Sequence, residues 1–120
     1  MKIGFIGLGR MGGKMVERLL KDGHEIVAYN LTKPEIDEAV SKGAVGADSV
    51  EDLVNKLPER KIVWLMVPAG IPVDSNLEIL SKLLKSGDII IDGGNSNWKL
   101  TQTRGKKLAD IGINFIDCGT

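Results

Sequence analysis

Lys2-Ile3-Gly4-Phe5-Ile6-Gly7-Leu8-Gly9-Arg10-Met11-Gly12 is the stretch on which the fold turns. Its first five residues read as a short buried strand. Gly7 to Gly12 then fit G-x-G-x-x-G. Met15, Val16, Leu19 and Leu20 follow on one face of an amphipathic helix expected from about Met11 to Asp22. A strand, a glycine turn and a helix in that order are the setting in which this pattern carries a mechanism. Gly7 permits the tight turn, Gly9 lets backbone approach a pyrophosphate with no Cβ in the way, and Gly12 lets the helix pack closely on the sheet. The helix start offers free N–H groups and a partial positive charge to phosphates. Leu8, Arg10 and Met11 complete the candidate turn, with Arg10 either neutralising pyrophosphate charge or facing solvent. A turn with no ligand is the bland alternative for the same residues.

Working outward, apolar runs alternate with helical patterns. Gly23 is placed to end the first helix as a residue that takes positive φ. Glu25–Tyr29 reads as a second strand, and a weak third is expected near Ala44-Val45. Ile62 to Val67 is continuously apolar, as in a parallel strand covered on both faces. Ile89–Ile91 and Ile113–Ile116 supply the fifth and sixth. Pro34, Asp52 and Asn76 mark early turns of three further helices. A last helix starts near Asn97, capped by Asn95 or Ser96, and runs to about Asp110, with Gly112 closing it. The alternation predicts an α/β fold: a doubly wound parallel sheet of right-handed βαβ units, a Rossmann-type dinucleotide-binding domain over residues 1–120. The chain stops at Asp117-Cys118-Gly119-Thr120, the carboxyl end of the sixth strand, where open sheets of this class place ligands. It therefore reads as truncated, and the short lead before the glycine turn leaves no room for a signal peptide.

Composition narrows the function. The 120 residues are 42% hydrophobic and 27% charged, a globular profile. Sixteen Lys and Arg balance sixteen Asp and Glu, so no global field draws in nucleic acid or an anionic membrane. No apolar run approaches the roughly 20 residues of a transmembrane helix. One cysteine and one histidine exclude a disulfide framework and most zinc sites, and make a reducing, cytoplasmic setting the expectation.

Three later segments are candidates for the rest of a coenzyme site. Asn30-Leu31-Thr32-Lys33 ends the second strand, eighteen residues past Gly12. An NAD site usually carries Asp or Glu there for the ribose 2′-hydroxyl, whereas an NADP site supplies polar or cationic groups. Neutral Asn30, the Thr32 hydroxyl and the Lys33 charge therefore favour NADP, with NAD the alternative. The same residues also fit a helix start, with Thr32 as cap and Pro34 in the first turn. Val67, Pro68, Ala69 and Gly70 follow the fourth strand where the strand order should reverse, and small residues there let backbone reach the nicotinamide half. Asp92-Gly93-Gly94-Asn95-Ser96-Asn97-Trp98 makes an anion- or carboxamide-binding turn, or simply a capped helix start.

Together, Gly7-Leu8-Gly9-Arg10-Met11-Gly12, Met66-Val67-Pro68-Ala69-Gly70, Asp92-Gly93-Gly94-Asn95-Ser96 and Asp117-Cys118-Gly119-Thr120 resemble the 6-phosphogluconate dehydrogenases, the decarboxylating enzymes of the pentose phosphate pathway and gluconate utilization. The resemblance implies that Gly7 to Gly12 hold the pyrophosphate and that Asn30 and Thr32 meet the adenosine 2′-phosphate. Val67, Pro68 and Ala69 would line the nicotinamide, and Asn95 would touch both nicotinamide and the sugar-phosphate substrate. Leu31 stands where NADP-specific members commonly have arginine, a loss that Lys33 offsets in part, and Lys14 stands where many have asparagine. The family's catalytic lysine and glutamate would lie beyond Thr120, so the chain by itself is expected to hold coenzyme without turnover. The parent enzyme is expected to be a homo-oligomer with no nucleic-acid or membrane partner.

Two other readings stay open. One is a different β-hydroxyacid dehydrogenase, such as a 3-hydroxyisobutyrate dehydrogenase, although those favour a Ser-Thr turn after the fifth strand. The other is a non-catalytic NAD(H)-sensing module. A methyltransferase fits less well, because its adenosyl donor needs an acidic group where Asn30 sits. His24 reads as a solvated or capping residue, Cys118 as a buried thiol, Trp98 as a packing residue, and Lys99, Arg104, Lys106 and Lys107 as a wet helix face. Asp92 and Asp117 end adjacent strands and read as turn hydrogen bonders rather than an acid–base pair.

Overall fold

Hydrophobic strands too short to be stable alone pair side by side, the inner four with a neighbour on each edge. The computed structural model describes residues 2–58, 60–66, 71–93, 106 and 108–117. β1 (Lys2–Ile6), β2 (Glu25–Tyr29), β3 (Val45–Gly46), β4 (Ile62–Leu65), β5 (Ile89–Asp92) and β6 (Asn114–Asp117) form one parallel sheet in the order β3-β2-β1-β4-β5-β6. This is the doubly wound arrangement expected from the sequence, and its order reverses between β1 and β4. The crevice at that reversal, beyond the strands' carboxyl ends, is the general ligand position of such sheets.

Alternate side chains of each strand feed two cores. Phe5, Ile26 and Ala28 face α1 (Arg10–Lys21) and α2 (Lys33–Ser41), packing with Val16 and Ala39. Ile6, Val27, Val63, Leu65 and Ile90 face α3 (Val50–Asn55) and α4 (Ile71–Leu83), packing with Leu53, Leu77 and Leu80. Gly4 lets α3 settle on the sheet: a Cβ there would meet Leu53 Cδ2 at 2.6 Å and Leu57 Cδ1 at 2.9 Å. Phe5 and Trp64 stack with ring planes 3° apart and centroids 6.3 Å apart.

Four boundaries differ from the sequence reading. The Ala44 N–H bonds to Ala39 O and closes α2, so the third strand starts at Val45. The β4 ladder ends at Leu65, although the Met66 N–H still reaches Ile6 O at 2.7 Å. α4 starts at Ile71, five residues before Asn76, because Pro72 fits a first helical turn that needs no N–H from it. The Ile113 N–H bonds to Leu108 O, leaving Ile113 a buried plug and shifting β6 to Asn114–Asp117. Gly23 and Gly112 both take positive φ, as their closing positions require. The start of the last helix, with Asn95, Ser96 and Asn97, lies outside the described residues.

Asp88, 5% exposed, went unnoticed in the sequence. Its carboxylate accepts the Lys85 N–H at 2.7 Å and the Lys61 N–H at 2.9 Å, while its own carbonyl accepts from Asn114. One residue, by its carboxylate and its carbonyl, thus joins the end of α4 to the entries of β4, β5 and β6.

Candidate functional site

The glycine turn is held between β1 and β2. Gly7 has φ +99° and donates its N–H to Tyr29 O at 3.0 Å. At Gly12 a Cβ would collide with the Gly7 carbonyl oxygen and crowd the Phe5 ring. The absent side chain is therefore what lets α1 start directly under the turn. Gly9 is different. It caps α1 with φ −63°, a value any residue adopts, and beyond its chain neighbours a Cβ there would meet nothing among the described residues within 4 Å. No side chain caps α1 and its first turn holds no acidic residue. The space over Gly9 and the uncapped helix start fit a pyrophosphate, which needs close backbone approach and N–H donors.

Asn30 ties this turn to the end of β2. Its Oδ1 accepts the Leu8 N–H at 2.9 Å, which aims its Nδ2 at Thr32 Oγ1, 3.0 Å away, and at Glu35 Oε2, 3.3 Å away. Thr32 is the N-cap of α2 by backbone, as the sequence indicated. Its hydroxyl, however, makes no capping bond to the helix and instead donates to the Glu35 carboxylate. On its acceptor side the same oxygen takes the Asn30 amide N–H rather than a backbone N–H of the helix. Leu31 between them is 90% exposed, and Lys33 is exposed.

Glu35 was missed in the sequence. The Thr32-x-x-Glu35 spacing of a capping box was the available signal. The Thr32 hydroxyl, then the backbone N–H of Glu35 itself, hold the Glu35 carboxyl below its usual 4.5 against the opposing effect of desolvation, with a lesser contribution from the Asn30 amide. A depressed acid adds stability above its ordinary value and loses it as pH falls through the lower folded value. The Thr32–Asn30–Glu35 network is therefore expected to persist through neutral pH and break only below 4.5. Carbon NMR titration of the Glu35 carboxyl checks this, and Thr32→Val is expected to move its midpoint back up.

A cleft of about 420 Å³ opens between α1 and α2, with Leu8, Gly9 and Lys14 on one wall and Glu35, Glu38 and Lys42 on the other. Lys42, which also lines the cleft, bridges Glu17 at 3.2 Å and Glu38 at 3.4 Å, tying α1 to the end of α2. The bond to Lys42 is the main cause that lowers the Glu17 pKa, and the reciprocal bond raises that of Lys42.

Val67, Pro68, Ala69, Gly70, Asn95, Trp98 and Cys118 lie outside the described residues, as do Lys99, Arg104 and Lys107. The same holds for the side chains of Arg10, Met11 and Asp117. Lys106 is exposed. Asp92 is fully buried, holds an interaction of its own and stands opposite Asp117 in the β5–β6 register. His24 is half-buried, and its backbone N–H reaches back to Leu19 O. Among the described residues no cluster of three or more metal-ligating side chains occurs, and no helix is long and apolar enough to cross a membrane.

Comparison with known proteins agrees with this geometry. Residues 2–120 match the family described as the NAD binding domain of 6-phosphogluconate dehydrogenase. An NAD(+)-dependent, decarboxylating 6-phosphogluconate dehydrogenase of Haloferax volcanii is 44% identical over the whole chain, which spans 39% of that relative's length. A decarboxylating 6-phosphogluconate dehydrogenase of Haemophilus influenzae is 47% identical over 98% of the chain and 25% of its own length. Among solved structures, Plasmodium falciparum 6-phosphogluconate dehydrogenase, studied apo, with its cofactor NADP+ and with its substrate 6-phosphogluconate, superposes with a TM-score of 0.88. That match has 31% identity and covers 96% of this chain and 26% of the other.

Proposed function

The chain belongs to the family of the NAD binding domain of 6-phosphogluconate dehydrogenase, and from that premise we propose that it is the coenzyme domain of an enzyme that oxidatively decarboxylates 6-phosphogluconate to ribulose 5-phosphate. The observation that carries the proposal is the cradle at Gly7 to Gly12, with its empty space over Gly9 and its helix start free of caps and acids. The bound dinucleotide would supply the hydride acceptor. Leu8, Arg10 and Met11 would present backbone to the pyrophosphate, and exposed Leu31 would offer an apolar seat to the adenine. Val67, Pro68 and Ala69 would flank the nicotinamide, with Asn95 reaching both nicotinamide and substrate. The domain boundary near Thr120, a cytoplasmic setting, a place in gluconate utilization and a homo-oligomeric parent are parts of the same proposal.

For the coenzyme, two readings have distinct support. NADP is favoured by Asn30, Thr32 and Lys33 as polar and cationic neighbours of a 2′-phosphate, and by the cofactor of the Plasmodium relative. NAD is favoured by the Glu35 carboxylate at the same place and by the NAD(+) dependence of the Haloferax relative.

Titration of the chain with NADH and NADPH, read by fluorescence transfer from its tryptophans to the nicotinamide, tests the coenzyme role. Saturation of that signal is expected with at least one of the two. Saturation-transfer NMR on the loaded chain is then expected to show 6-phosphogluconate in contact and 3-hydroxyisobutyrate not. Transfer from the smaller acid alone would reassign the substrate.

A further inference from the structure

Asn30 and Thr32 are the donors from which a 2′-phosphate pocket would be built, and neither is at liberty to serve one. Asn30 spends its oxygen on the Leu8 N–H, and its amide points to Thr32 and Glu35. The Thr32 hydroxyl donates to Glu35. The carboxylate on which both converge shares a cleft with Leu8 and Gly9, so it lies on the path from pyrophosphate to adenosine ribose. A carboxylate about 20 residues past a dinucleotide glycine turn is the usual acceptor for a ribose 2′-hydroxyl, and Glu35 stands twenty-three past Gly12.

We infer that Glu35 is the coenzyme-specificity residue of this domain: its carboxylate accepts from the 2′-hydroxyl of NAD and repels the 2′-phosphate of NADP. The inference rests on the glycine cradle being the pyrophosphate site. Repulsion works as strongly as attraction here, because a phosphate entering the pocket would meet a like charge within hydrogen-bond reach. It would also have to strip Asn30 and Thr32 of their present acceptor. Three cations could oppose Glu35, and Lys33 among them is exposed and makes no ion pair among the described residues. Lys42 is occupied by Glu17 and Glu38, whereas Lys14 makes no ion pair among the described residues. Lys14 lines the cleft on the α1 side, across from Glu35.

The test is paired NADH and NADPH titration of the 120-residue chain and three variants, with thermal melting as the check on folding. The unsubstituted chain is expected to prefer NADH by about tenfold or more, the scale of one charge-assisted contact. Glu35→Gln keeps the shape and removes the charge, and is expected to bring the ratio to within about threefold or to invert it. Glu35→Asp keeps the charge and is expected to retain a preference for NADH. Gly9→Ala is expected to weaken both coenzymes by the same factor and leave the ratio alone. A native preference for NADPH, or a ratio indifferent to Glu35→Gln, would overturn the inference while leaving the coenzyme site in place. Equal behaviour of the Asp and Gln variants would overturn its electrostatic basis. Failure of the folded chain to bind either coenzyme would overturn the coenzyme reading, and the role of Glu35 with it.

Discussion

Gly9→Ala is expected to leave the domain folded and to abolish most of its coenzyme binding, whereas Gly12→Ala is expected to damage fold and binding together. The two glycines belong to one motif but are required for opposite reasons. Beyond its chain neighbours, a methyl group on Gly9 meets no atom of the described residues within 4 Å, and φ −63° suits alanine. Its structural cost is that of a poorer N-cap, about 0.5–1 kcal/mol. The methyl does stand where the pyrophosphate would lie, so affinity is expected to fall by roughly tenfold or more, about 1.4 kcal/mol per decade. A methyl on Gly12 collides with the Gly7 carbonyl oxygen, which is backbone and cannot rotate away. Either α1 lifts from the sheet or the Gly7 turn deforms. The gain in helix propensity from glycine to alanine, about 1 kcal/mol, is outweighed by overpacking of about 1–3 kcal/mol or more against rigid backbone. Chemical denaturation of the ligand-free variants beside coenzyme titration separates the two effects. Equal loss of stability in both variants would show that Gly9 also serves the fold.

Asp88→Ala is expected to be among the most destabilising single changes, although Asp88 stands at the amino end of β5, opposite the carboxyl ends that the proposed site uses. Its carboxylate accepts two backbone N–H bonds, from Lys85 and Lys61, in a position only 5% exposed. Bonds to a charged acceptor contribute about 1.5–3 kcal/mol each, and a buried N–H left unpaired costs about as much as its desolvation. Water reaching the site limits the sum, so about 3 kcal/mol is the expected loss, a large part of the roughly 5–15 kcal/mol that holds a domain together. Urea denaturation measures it. Asp88→Asn, which keeps one acceptor oxygen, is expected to recover part of the loss, and a variant as stable as the parent would show that the two N–H groups find other partners.

The parallel sheet was legible because strand and helix periods differ and because glycines punctuate the chain at Gly23 and Gly112, where positive φ ends each helix. Boundaries were less so. Ala44 and Ile113 look like strand residues by type, yet their N–H groups close the preceding helices, a competition that hydrogen-bond geometry decides. Asn76 drew attention as a turn residue, but α4 had already begun at Ile71.

At the site, the glycine motif and Asn30 were readable because they depend on local backbone and on a fixed offset from the turn. The partner of Asn30 was not. Residue type alone made Asn30, Thr32 and Lys33 look like a cationic, phosphate-tolerant pocket, since Lys33 carries the nearest charge in sequence. In three dimensions the first turn of α2 brings Glu35 back beneath Thr32, and the carboxylate rather than the lysine joins the network. The sequence by itself therefore determined the doubly wound sheet, the glycine turn and the strand end before Asn30, because those follow from periodicity and steric need within a few residues. Only the tertiary structure decided which charge shares that place, because the fold of a helix over a strand end, and not order along the chain, determines which side chains come within hydrogen-bond reach.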